Sequence, residues 1–187
     1  MTYQDLIIFK NIPIIRTERL TLRRITDKDL NDVFEYSKNP ETTKYLLWYP
    51  HATIRDTKRF ISVINKKYRE GDFFEWGVEY NGKMIGTAGF TSFNLLANSA
   101  EIGYVINPQY KGMGIATEAA RAVIKFGFEA LKLNRIEARY MIENTRSLRV
   151  MQKCDMTPEG VARKAVMSKS GYTDVGYASI LKEEYKG

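Results

Sequence analysis

Two glycines separated by one residue, Gly112 and Gly114, stand directly before a helix-like run in the segment QYKGMGIATEAARAVIKFGFEAL, residues 109–131. Glycine lets the backbone turn tightly and approach a ligand without a Cβ in the way. The first amide groups of a helix have no partners within the helix, and they carry a partial positive charge. The pattern therefore indicates an anion site, and phosphate is the anion that such a corner suits best.

The two common nucleotide signatures do not fit this loop. No G-x-x-x-x-G-K-[ST] string occurs, which excludes a P-loop. A dinucleotide-binding βαβ unit is closer, because Glu137 lies about 20 residues past the glycines. However, Thr117 replaces the third glycine of that motif, and the preceding strand ends at Asn107-Pro108, too far ahead of Gly112 for the tight turn required. We therefore expect neither ATP nor NAD.

The reactive side chains that are present limit the chemistry. The chain has one histidine, His51, and one cysteine, Cys154, so neither a His/Cys zinc site nor an intrachain disulfide can be assembled. No G-x-S-x-G elbow marks the nucleophile of a hydrolase. We expect a reaction without a metal ion and without a covalent triad.

Length and composition favour one soluble domain, residues 1–187. Of the 187 residues 44% are hydrophobic, and no apolar run approaches the ~18 residues of a membrane span. Residues 1–15 show no signal-peptide pattern, so we expect a cytoplasmic protein without membrane contact. The net charge of +7 comes from scattered side chains rather than a block of like charges, so it is weak support for nucleic-acid binding.

Hydrophobic periodicity predicts an α/β fold with the order β-α-α-β-β-β-α-β-α-β-β, a mixed sheet with helices on both faces. Capping boxes at Thr26-x-x-Asp29 and Thr53-x-x-Asp56 mark two helix starts, and Asn81-Gly82 marks a hairpin. The predicted strands are 14–25, 73–80, 83–93, 99–106 and 135–142, with two more around the turn 169–172. The predicted helices are 27–38, Thr53 to Gly71, the glycine loop to Leu131, and 147–154.

The string Gln109-x-x-Gly112-x-Gly114 resembles the [RQ]-x-x-G-x-[GA] loop of the GCN5-related N-acetyltransferase (GNAT) superfamily, whose backbone amides cradle the pyrophosphate of coenzyme A. Four segments resemble its RimJ/RimL-type branch in order: RTERLTLRRIT (16–26), AEIGYVINPQYKGMGIATEA (100–119), EARYMIENTRSLRVMQKCDM (137–156) and GVARKAVMSKSGYTDVGYASILKEEY (160–185). The resemblance covers about 14–185. It departs at Asp155-Met156, where relatives usually have Gly-Phe. Asp tolerates the left-handed conformation and Met can fill a Phe-sized gap, so we expect the fold to be kept.

The resemblance implies a GNAT acyl-CoA N-acyltransferase fold that moves an acetyl group from acetyl-CoA directly to a primary amine. It implies that the strand carrying Glu101 splays from the strand 135–142, so that the pantetheine arm fits the gap like an extra strand. A backbone amide in the gap would stabilise the thioester oxyanion. The coenzyme contacts implied are Tyr104, Val105, Ile106, Gln109, Lys111, Gly112, Met113, Gly114, Ile115, Ala116, Thr117, Asn144 and Ser147.

Asn144-x-x-Ser147 matches the family motif at the start of the fourth helix. The resemblance implies that the Asn144 side chain contacts the pantetheine and that the Ser147 hydroxyl lies near the sulfur, where it would protonate the leaving thiolate. Asn144 is equally suited to cap the helix, and the two roles are compatible. The basic edge formed by Arg146, Arg149 and Lys153 suits the 3′-phosphate of coenzyme A, and a solvated charged face explains it equally well.

The attacking amine must be neutral, which bears on both the base and the acceptor. At pH 7, deprotonating an α-amino group with a pKa of about 7.7–8.0 costs ~1.2 kcal/mol of free energy, whereas deprotonating a lysine with a pKa of about 10.4 costs ~4.6 kcal/mol. A carboxylate acting through water can accept the first of these protons without much tuning. Glu101 lies where the superfamily often keeps such a base, with Glu75 on the neighbouring hairpin as the second candidate. A structural salt bridge would explain Glu101 equally well.

The sequence leaves the identity of the acceptor amine open. RimJ/RimL-type relatives acetylate the amino termini of ribosomal proteins, so we expect a protein or peptide α-amino group, while other relatives take polyamines, aminoglycosides or other small amines. The acids Asp27, Asp29, Asp32 and Glu35 either attract a cation or form a solvated helix face, which we favour. A function of a different class is also left open, namely a non-catalytic module that binds coenzyme A or nucleic acid. Nucleic-acid contact is otherwise expected only through the ribosome, and a homodimer is left open.

Overall fold

The computed structural model describes residues 9–71 and 74–187, and within them eight strands form one mixed sheet in the order β1-β2-β3-β4-β5-β6-β8-β7. The strands are β1 (Ile15–Arg16), β2 (Leu20–Arg23), β3 (Phe74–Tyr80), β4 (Lys83–Asn94), β5 (Ser99–Ile106), β6 (Arg135–Met141), β7 (Thr157–Ser168) and β8 (Gly171–Leu181). The helices are α1 (Leu30–Ser37), α2 (Pro40–Thr43), α3 (Ile54–Glu70), α4 (Ile115–Glu129) and α5 (Thr145–Lys153). The predicted α/β fold with a mixed sheet is confirmed.

Short-range sequence signals lie where they were expected. Thr26 and Asp29 form a reciprocal capping box, and Thr53 and Asp56 form a second one at the start of α3. Gly71 ends α3 in the left-handed conformation, with a φ of 75°. Each signal acts through hydrogen bonds between residues three or four apart, so the local sequence is enough to reveal it.

The first predicted strand and the first predicted helix need correction. The strand 14–25 is divided into β1 and β2 by a turn in which the Thr17 amide donates to the Leu20 carbonyl at 3.0 Å and the Thr17 hydroxyl accepts from the Leu20 amide at 2.9 Å. The helix 27–38 begins with a 3₁₀ turn at Asp27–Asp29, and α1 follows it. Local side-chain bonds of this kind compete with regular structure at polar residues.

Helix α2 was not predicted, although its signals are in the sequence. Asn39 caps it by accepting from the Glu41 amide at 2.9 Å, and Pro40 occupies its first turn. Phe73, the first residue of a predicted strand, lies outside the described residues, as do residues 1–8, on which the signal-peptide expectation largely depends. Among the described residues, no helix has the length and apolarity needed to cross a membrane.

The two faces of the sheet carry different helices. Trp76 of β3 packs edge-on against Phe126 of α4, with ring centroids 5.2 Å apart, and the Tyr104 hydroxyl of β5 lies 3.0 Å from the Ser147 hydroxyl of α5. Helices α4 and α5 therefore share one face. Side chains alternate along a strand, so Glu75 lies on the opposite face, where it lines a cavity together with residues of α1 and α3.

Strands β5 and β6 form a parallel pair that ends early. Residues Ser99–Glu101 pair with Arg135–Glu137, after which the strands separate. Strand β5 continues to Ile106 paired with β4 on its other side, and β6 continues paired with β8. The expected splay after Glu101 is therefore present, and it leaves one edge of β5 available to a ligand.

A β-bulge accompanies this separation. The register of β4 against β5 shifts between Phe90 and Ser92, and the hydroxyl of the intervening Thr91 donates to the Glu101 carbonyl at 3.3 Å. A Cβ added at Gly103 would lie 2.9 Å from the Thr91 methyl carbon, so glycine is what allows this approach. A bulge bends and twists its strand, and here it does so beside the residue where β5 leaves β6.

The departure from the family pattern at Asp155-Met156 is accommodated. Asp155 follows α5 in the left-handed conformation with a φ of 60°, and Met156 is 3% exposed and packs in the core. The expectation that these residues replace Gly-Phe without changing the fold is confirmed.

This geometry predicts an unusual order of stability at position 155. Asp155→Gly removes the strain of a side chain at positive φ, whereas Asp155→Ala keeps the strain without the local polar contacts that make Asp tolerable there. We expect the alanine variant to be about 1 kcal/mol less stable than the glycine variant. Urea unfolding measures both. An alanine variant that is the more stable of the two would contradict the left-handed assignment.

Candidate active site

The glycine loop presents an open helix start. Gly112 and Gly114 both adopt left-handed backbone, with φ values of 81° and 77°, which confirms the reason for glycine there. Gly114 is the N-cap of α4, and no side-chain hydrogen bond caps the helix among the described residues. A Cβ placed on Gly112 would meet nothing within 4 Å. The first amides of α4 are thus left for an anion.

The remaining predicted phosphate contacts surround this corner. The exposed members are Gln109, Lys111, Gly112, Met113 and Gly114, and the partly or fully buried ones are Ala116, Thr117 and Ile115. Ile115 is 1% exposed, so its side chain anchors α4 in the core and only its backbone amide can meet a ligand. The sequence placed these residues together correctly, and their contacts with a coenzyme remain a prediction.

An arginine that sequence analysis missed holds the loop in place. Arg19 donates to the Met113 carbonyl at 2.8 Å and pairs with Glu118 of α4 at 2.7 Å. Glu118 also accepts from the Thr17 hydroxyl at 2.5 Å. Arg19 and Glu118 are 99 residues apart in the chain, so local periodicity could not reveal this contact. The pair fixes the carbonyl between the two glycines and so orients the amides around it.

The part of the splay beside α5 contains a pair of hydroxyl groups. Tyr104, Val105 and Ile106 lie on the part of β5 beyond its pairing with β6. The Tyr104 hydroxyl lies 3.0 Å from both the carbonyl and the hydroxyl oxygen of Ser147. Asn144 caps α5, its side chain accepting from the Ser147 amide at 3.3 Å, so its capping role is confirmed. Burial raises the pKa of Tyr104, which therefore stays a neutral donor.

A cavity of about 630 Å³ passes through the gap between β5 and β6. Its lining includes residues from both faces of the sheet, among them Tyr104, Asn144 and Ser147 at one end and Glu75, Glu101 and Arg139 at the other. The sheet is otherwise continuous, so this gap is where groups on opposite faces can meet. Both candidate catalytic residues, Glu101 and Ser147, and the second candidate base, Glu75, therefore line one space.

Glu101 is part of an ion pair. Its Oε1 lies 2.9 Å from Arg139 Nε, and its side chain is 15% exposed whereas that of Arg139 is 51% exposed. Burial raises the pKa of Glu101, and the positive charge of Arg139 opposes this rise. The salt bridge considered for this residue is present. It does not remove Glu101 from the cavity, but it commits one carboxylate oxygen to a cation.

Glu75 has a different environment. Burial raises the pKa of its carboxyl group to about 7, with a hydrogen bond from Thr87 acting in the opposite direction. Among the described residues, no lysine or arginine forms an ion pair with it. A carboxylate with a pKa near neutrality is suited to accept and release a proton at physiological pH.

Of the four acidic residues considered near α1, Asp27 is exposed as expected of a solvated face, whereas the other three have partners within the fold. Asp29 is 5% exposed and pairs with Arg23 at 2.8 Å. Asp32 accepts from the Met84 amide at 2.9 Å, and Glu35 pairs with Lys83 at 2.7 Å. The favoured interpretation, a solvated face, is wrong for these three, because tertiary contacts that the sequence does not reveal bind them to the sheet.

The expected 3′-phosphate contacts remain a prediction. Arg146, Arg149 and Lys153 are exposed on α5. A larger cavity of about 1300 Å³ lies beside α4 and is lined by Gly114, Arg121 and Lys153 among others, but neither candidate base lines it. The larger cavity therefore adjoins the phosphate corner, and the smaller one holds the groups that can do chemistry.

Comparison with known proteins agrees with this geometry. Residues 19–157 match the family model described as Acetyltransferase (GNAT) domain. A Bacillus licheniformis protein named Uncharacterized N-acetyltransferase p20 is 36% identical over 91% of this chain and 97% of its own length. The crystal structure of a GNAT-family acetyltransferase from Bacillus anthracis matches with a TM-score of 0.81 and 34% identity, over 92% of this chain and all of that one.

More distant structures share the fold and differ in what they are named for. A Vibrio cholerae spermidine N-acetyltransferase in complex with CoA and spermine matches at TM-score 0.76 and 24% identity, over 90% of this chain and 99% of that one. The ribosomal L7/L12 alpha-N-protein acetyltransferase RimL in complex with coenzyme A matches with a TM-score of 0.79 and 19% identity, over 90% of this chain and 98% of that one. One fold therefore serves both kinds of acceptor.

The Arg19 contact predicts a selective loss of coenzyme affinity. Arg19→Ala frees the Met113 carbonyl and removes the pair with Glu118, so the KM for acetyl-CoA is expected to rise about tenfold, equivalent to ~1.4 kcal/mol, with a smaller change in kcat. Steady-state kinetics with varied acetyl-CoA measures this.

Arg16→Ala is the matched control for Arg19→Ala. It removes the same charge from the same segment, but Arg16 contacts only the Thr21 hydroxyl among described side chains, at 3.4 Å. An equal rise in KM for the two variants would mean that bulk charge, rather than the position of the loop, is responsible.

Proposed function

Because the chain belongs to the GNAT acetyltransferase family, we propose that it transfers the acetyl group of acetyl-CoA to the α-amino group of a peptide or protein, as in the RimJ/RimL-type branch. The observation that carries this proposal is the cavity through the β5–β6 gap, with Ser147 at one end and Glu75 at the other. A thioester entering from the α4 and α5 face meets an amine entering from the opposite face.

The residues present fit acetyl-CoA as co-substrate. The uncapped start of α4 and the left-handed glycines suit the pyrophosphate. The free edge of β5 at Tyr104, Val105 and Ile106 suits the amide-containing pantetheine arm, since an unpaired strand edge readily binds an extended partner. These two features lie at the two ends of the segment that joins β5 to α4, so one extended molecule can occupy both.

The transfer needs one base and one acid. The amine nitrogen forms a bond to the acetyl carbon, and its proton passes through water to Glu75, whose raised pKa makes it the more suitable acceptor. Glu101, paired with Arg139, is the alternative base that the sequence favoured. When the carbon–sulfur bond breaks, the hydroxyl pair of Tyr104 and Ser147 supplies a proton to the thiolate.

The α-amino acceptor is supported by proton energetics. Moving a proton from an α-ammonium group to Glu75 is nearly balanced, while a lysine or polyamine nitrogen near pKa 10.4 adds about 3 kcal/mol or more. A small amine such as a polyamine is the second candidate, favoured by the similarity to spermidine acetyltransferases. A coenzyme A-binding module without turnover is the candidate of a different class.

A panel of acceptors separates these functions. The enzyme and acetyl-CoA are incubated with amino-terminal peptides, peptides with a blocked amino terminus and one lysine, spermidine and an aminoglycoside, and release of free thiol is followed. The proposal predicts turnover with free α-amino termini above all others. Preference for spermidine or the aminoglycoside would establish the second candidate, preference for the blocked lysine peptide would overturn the α-amino acceptor, and coenzyme binding without thiol release would establish the non-catalytic module.

The assignment of the base predicts a pH effect. Glu75 must be ionised to act, so wild-type kcat/KM is expected to fall as pH drops below about 7. Glu75→Gln keeps the shape and removes the base, so it should lower kcat by roughly 10²-fold and abolish this limb of the profile, leaving the limb set by the amine's own pKa near 8. The pH dependence of thiol release measures both.

Glu101→Gln is the matched carboxylate control. It should reduce kcat less than Glu75→Gln does, and its pH profile should keep the fall in kcat/KM below about pH 7. If instead Glu101→Gln abolishes the limb and Glu75→Gln retains it, the base is Glu101, as the sequence favoured.

Glu75 also predicts a pH-dependent stability. Its folded pKa of about 7 lies above the ordinary value of 4.5, so ionisation favours the unfolded state, and the penalty is absent below about pH 4 and complete above pH 7. Glu75→Gln should therefore gain stability relative to wild type between pH 4.5 and pH 8, by up to ~3 kcal/mol. Urea unfolding at the two pH values tests this, and a pH-independent difference would contradict it.

A further inference from the structure

The acceptor half of the cavity has an aromatic wall, which we define as Tyr36, Tyr45, Trp48 and Phe60, all of which line it. Tyr36 is 2% exposed and belongs to the core, whereas Trp48 at 36% and its neighbour Leu47 at 62% leave apolar surface at the rim. The segment YLLWYPH, residues 45–51, supplies the rim. Large apolar side chains that line a cavity and reach its mouth are typical of a ligand-binding surface.

Contacts within the protein hold Trp48 and Phe60 of the aromatic wall in place. The His51 ring nitrogen Nδ1 lies 2.8 Å from the Thr57 hydroxyl, and the ring lies between Trp48 at 5.5 Å and Phe60 at 5.6 Å, measured between centroids. From the far side, Lys169 in the β7–β8 turn donates to the Thr43 carbonyl at 2.7 Å. A preformed wall loses little conformational entropy when an apolar group packs against it.

The acceptor half of the cavity contains two carboxylates, Glu75 and Glu101, and one guanidinium, Arg139. Glu101 and Arg139 neutralise one another, which leaves Glu75 as the one of the two carboxylates without a cation partner among the described residues. Arg139 is half-exposed, and among the described residues its charged partner is Glu101, bound through Nε. Its terminal nitrogens can therefore donate to an oxygen atom of a ligand.

These features together fit one kind of acceptor. A polyamine carries several ammonium groups, and in this cavity a second ammonium would meet Arg139 rather than a second free carboxylate. An amino-terminal residue carries one amine, a carbonyl oxygen beside it, and a side chain on the same carbon. Each of these three groups has a counterpart in the cavity: a carboxylate, a guanidinium and an apolar wall.

Resting on the proposed function, we infer that the preferred acceptor is an amino-terminal residue with an aromatic or large aliphatic side chain. Its amine faces Glu75, its carbonyl oxygen accepts from Arg139, and its side chain packs on the aromatic wall. Full burial of a side chain such as Phe or Leu is worth ~1.5–3 kcal/mol. That range corresponds to a preference of roughly tenfold to hundredfold over glycine at the same position.

The test is a peptide series that differs only in its first residue. Peptides beginning with Phe, Leu, Ser, Asp or Gly, with a constant remainder that lacks lysine, are compared with spermidine by kcat/KM for thiol release. The inference predicts that Phe and Leu exceed Gly and Ser by tenfold or more, with Asp and spermidine lowest. A ratio of Phe to Gly near one, or a preference for Ser, would overturn the inference and leave peptide acetylation intact.

Two pairs of variants locate the preference. Trp48→Ala should reduce the Phe-to-Gly ratio at least fivefold, while Tyr49→Ala, in a residue that is 69% exposed and packs on Lys169 outside the cavity, should preserve it. Arg139→Gln should raise the ratio of spermidine to Phe peptide by removing a repulsive charge, while Arg69→Gln, in an exposed residue of α3 that does not line the cavity, should not change it. Equal effects within either pair would overturn the assignment of that contact.

Failure of the inference and failure of the proposed function are distinguishable. If no peptide in the series and no small amine releases thiol although acetyl-CoA binds, the proposed function itself is wrong. If spermidine is preferred to every peptide, the α-amino acceptor and the aromatic preference both fall, while acetyl transfer stands.

Discussion

The separation of β5 from β6 after Glu101 is the constraint on which the site depends. A strand edge left unpaired inside a fold exposes backbone donors and acceptors that need partners. The bulge at Thr91 and the close approach to Gly103 bend β5 away at this point, and β6 follows β8 instead. The gap that results carries the cavity from one face of the sheet to the other, so it brings together residues that alternation along the strands would otherwise keep apart.

Position relative to this gap explains why similar side chains have different chemistry. Glu101 stands at the point of divergence, where Arg139 of the neighbouring strand reaches it at 2.9 Å. Glu75 lies two strands away, beneath α1 and α3, and burial raises its pKa to about 7 without an ion pair to oppose it. Desolvation and ion pairing shift the pKa of a carboxylate separately. Desolvation dominates at Glu75, whereas desolvation and the pairing with Arg139 act against each other at Glu101.

How far the sequence predicts this protein depends on the range of the interaction. The capping boxes, the Asn81-Gly82 turn and the helix end at Gly71 act within a few residues, and all were predicted correctly. The splay was expected from family resemblance and not from periodicity. The contact of Arg19 with Glu118 and the pairing of Asp29, Asp32 and Glu35 depend on strand register and helix docking, which no local pattern encodes.

The difference in pKa between the acceptor amine and Glu75 links this carboxylate to the proposed choice of acceptor. Transfer of a proton from an α-ammonium group near pKa 7.8 to an ordinary glutamate near 4.3 costs about 5 kcal/mol, whereas transfer to Glu75 costs about 1 kcal/mol. The burial that raises the pKa of Glu75, and would suit it to act as the base, also disfavours the folded state once Glu75 ionises, because the same desolvation acts in both processes. A carboxylate whose ionisation disfavours the folded state at neutral pH, and which lines a cavity reaching both faces of the sheet, is typical of a functional site rather than of packing. In the proposed complex, Arg139 of the same cavity would tolerate one amine beside Glu75 and oppose a second.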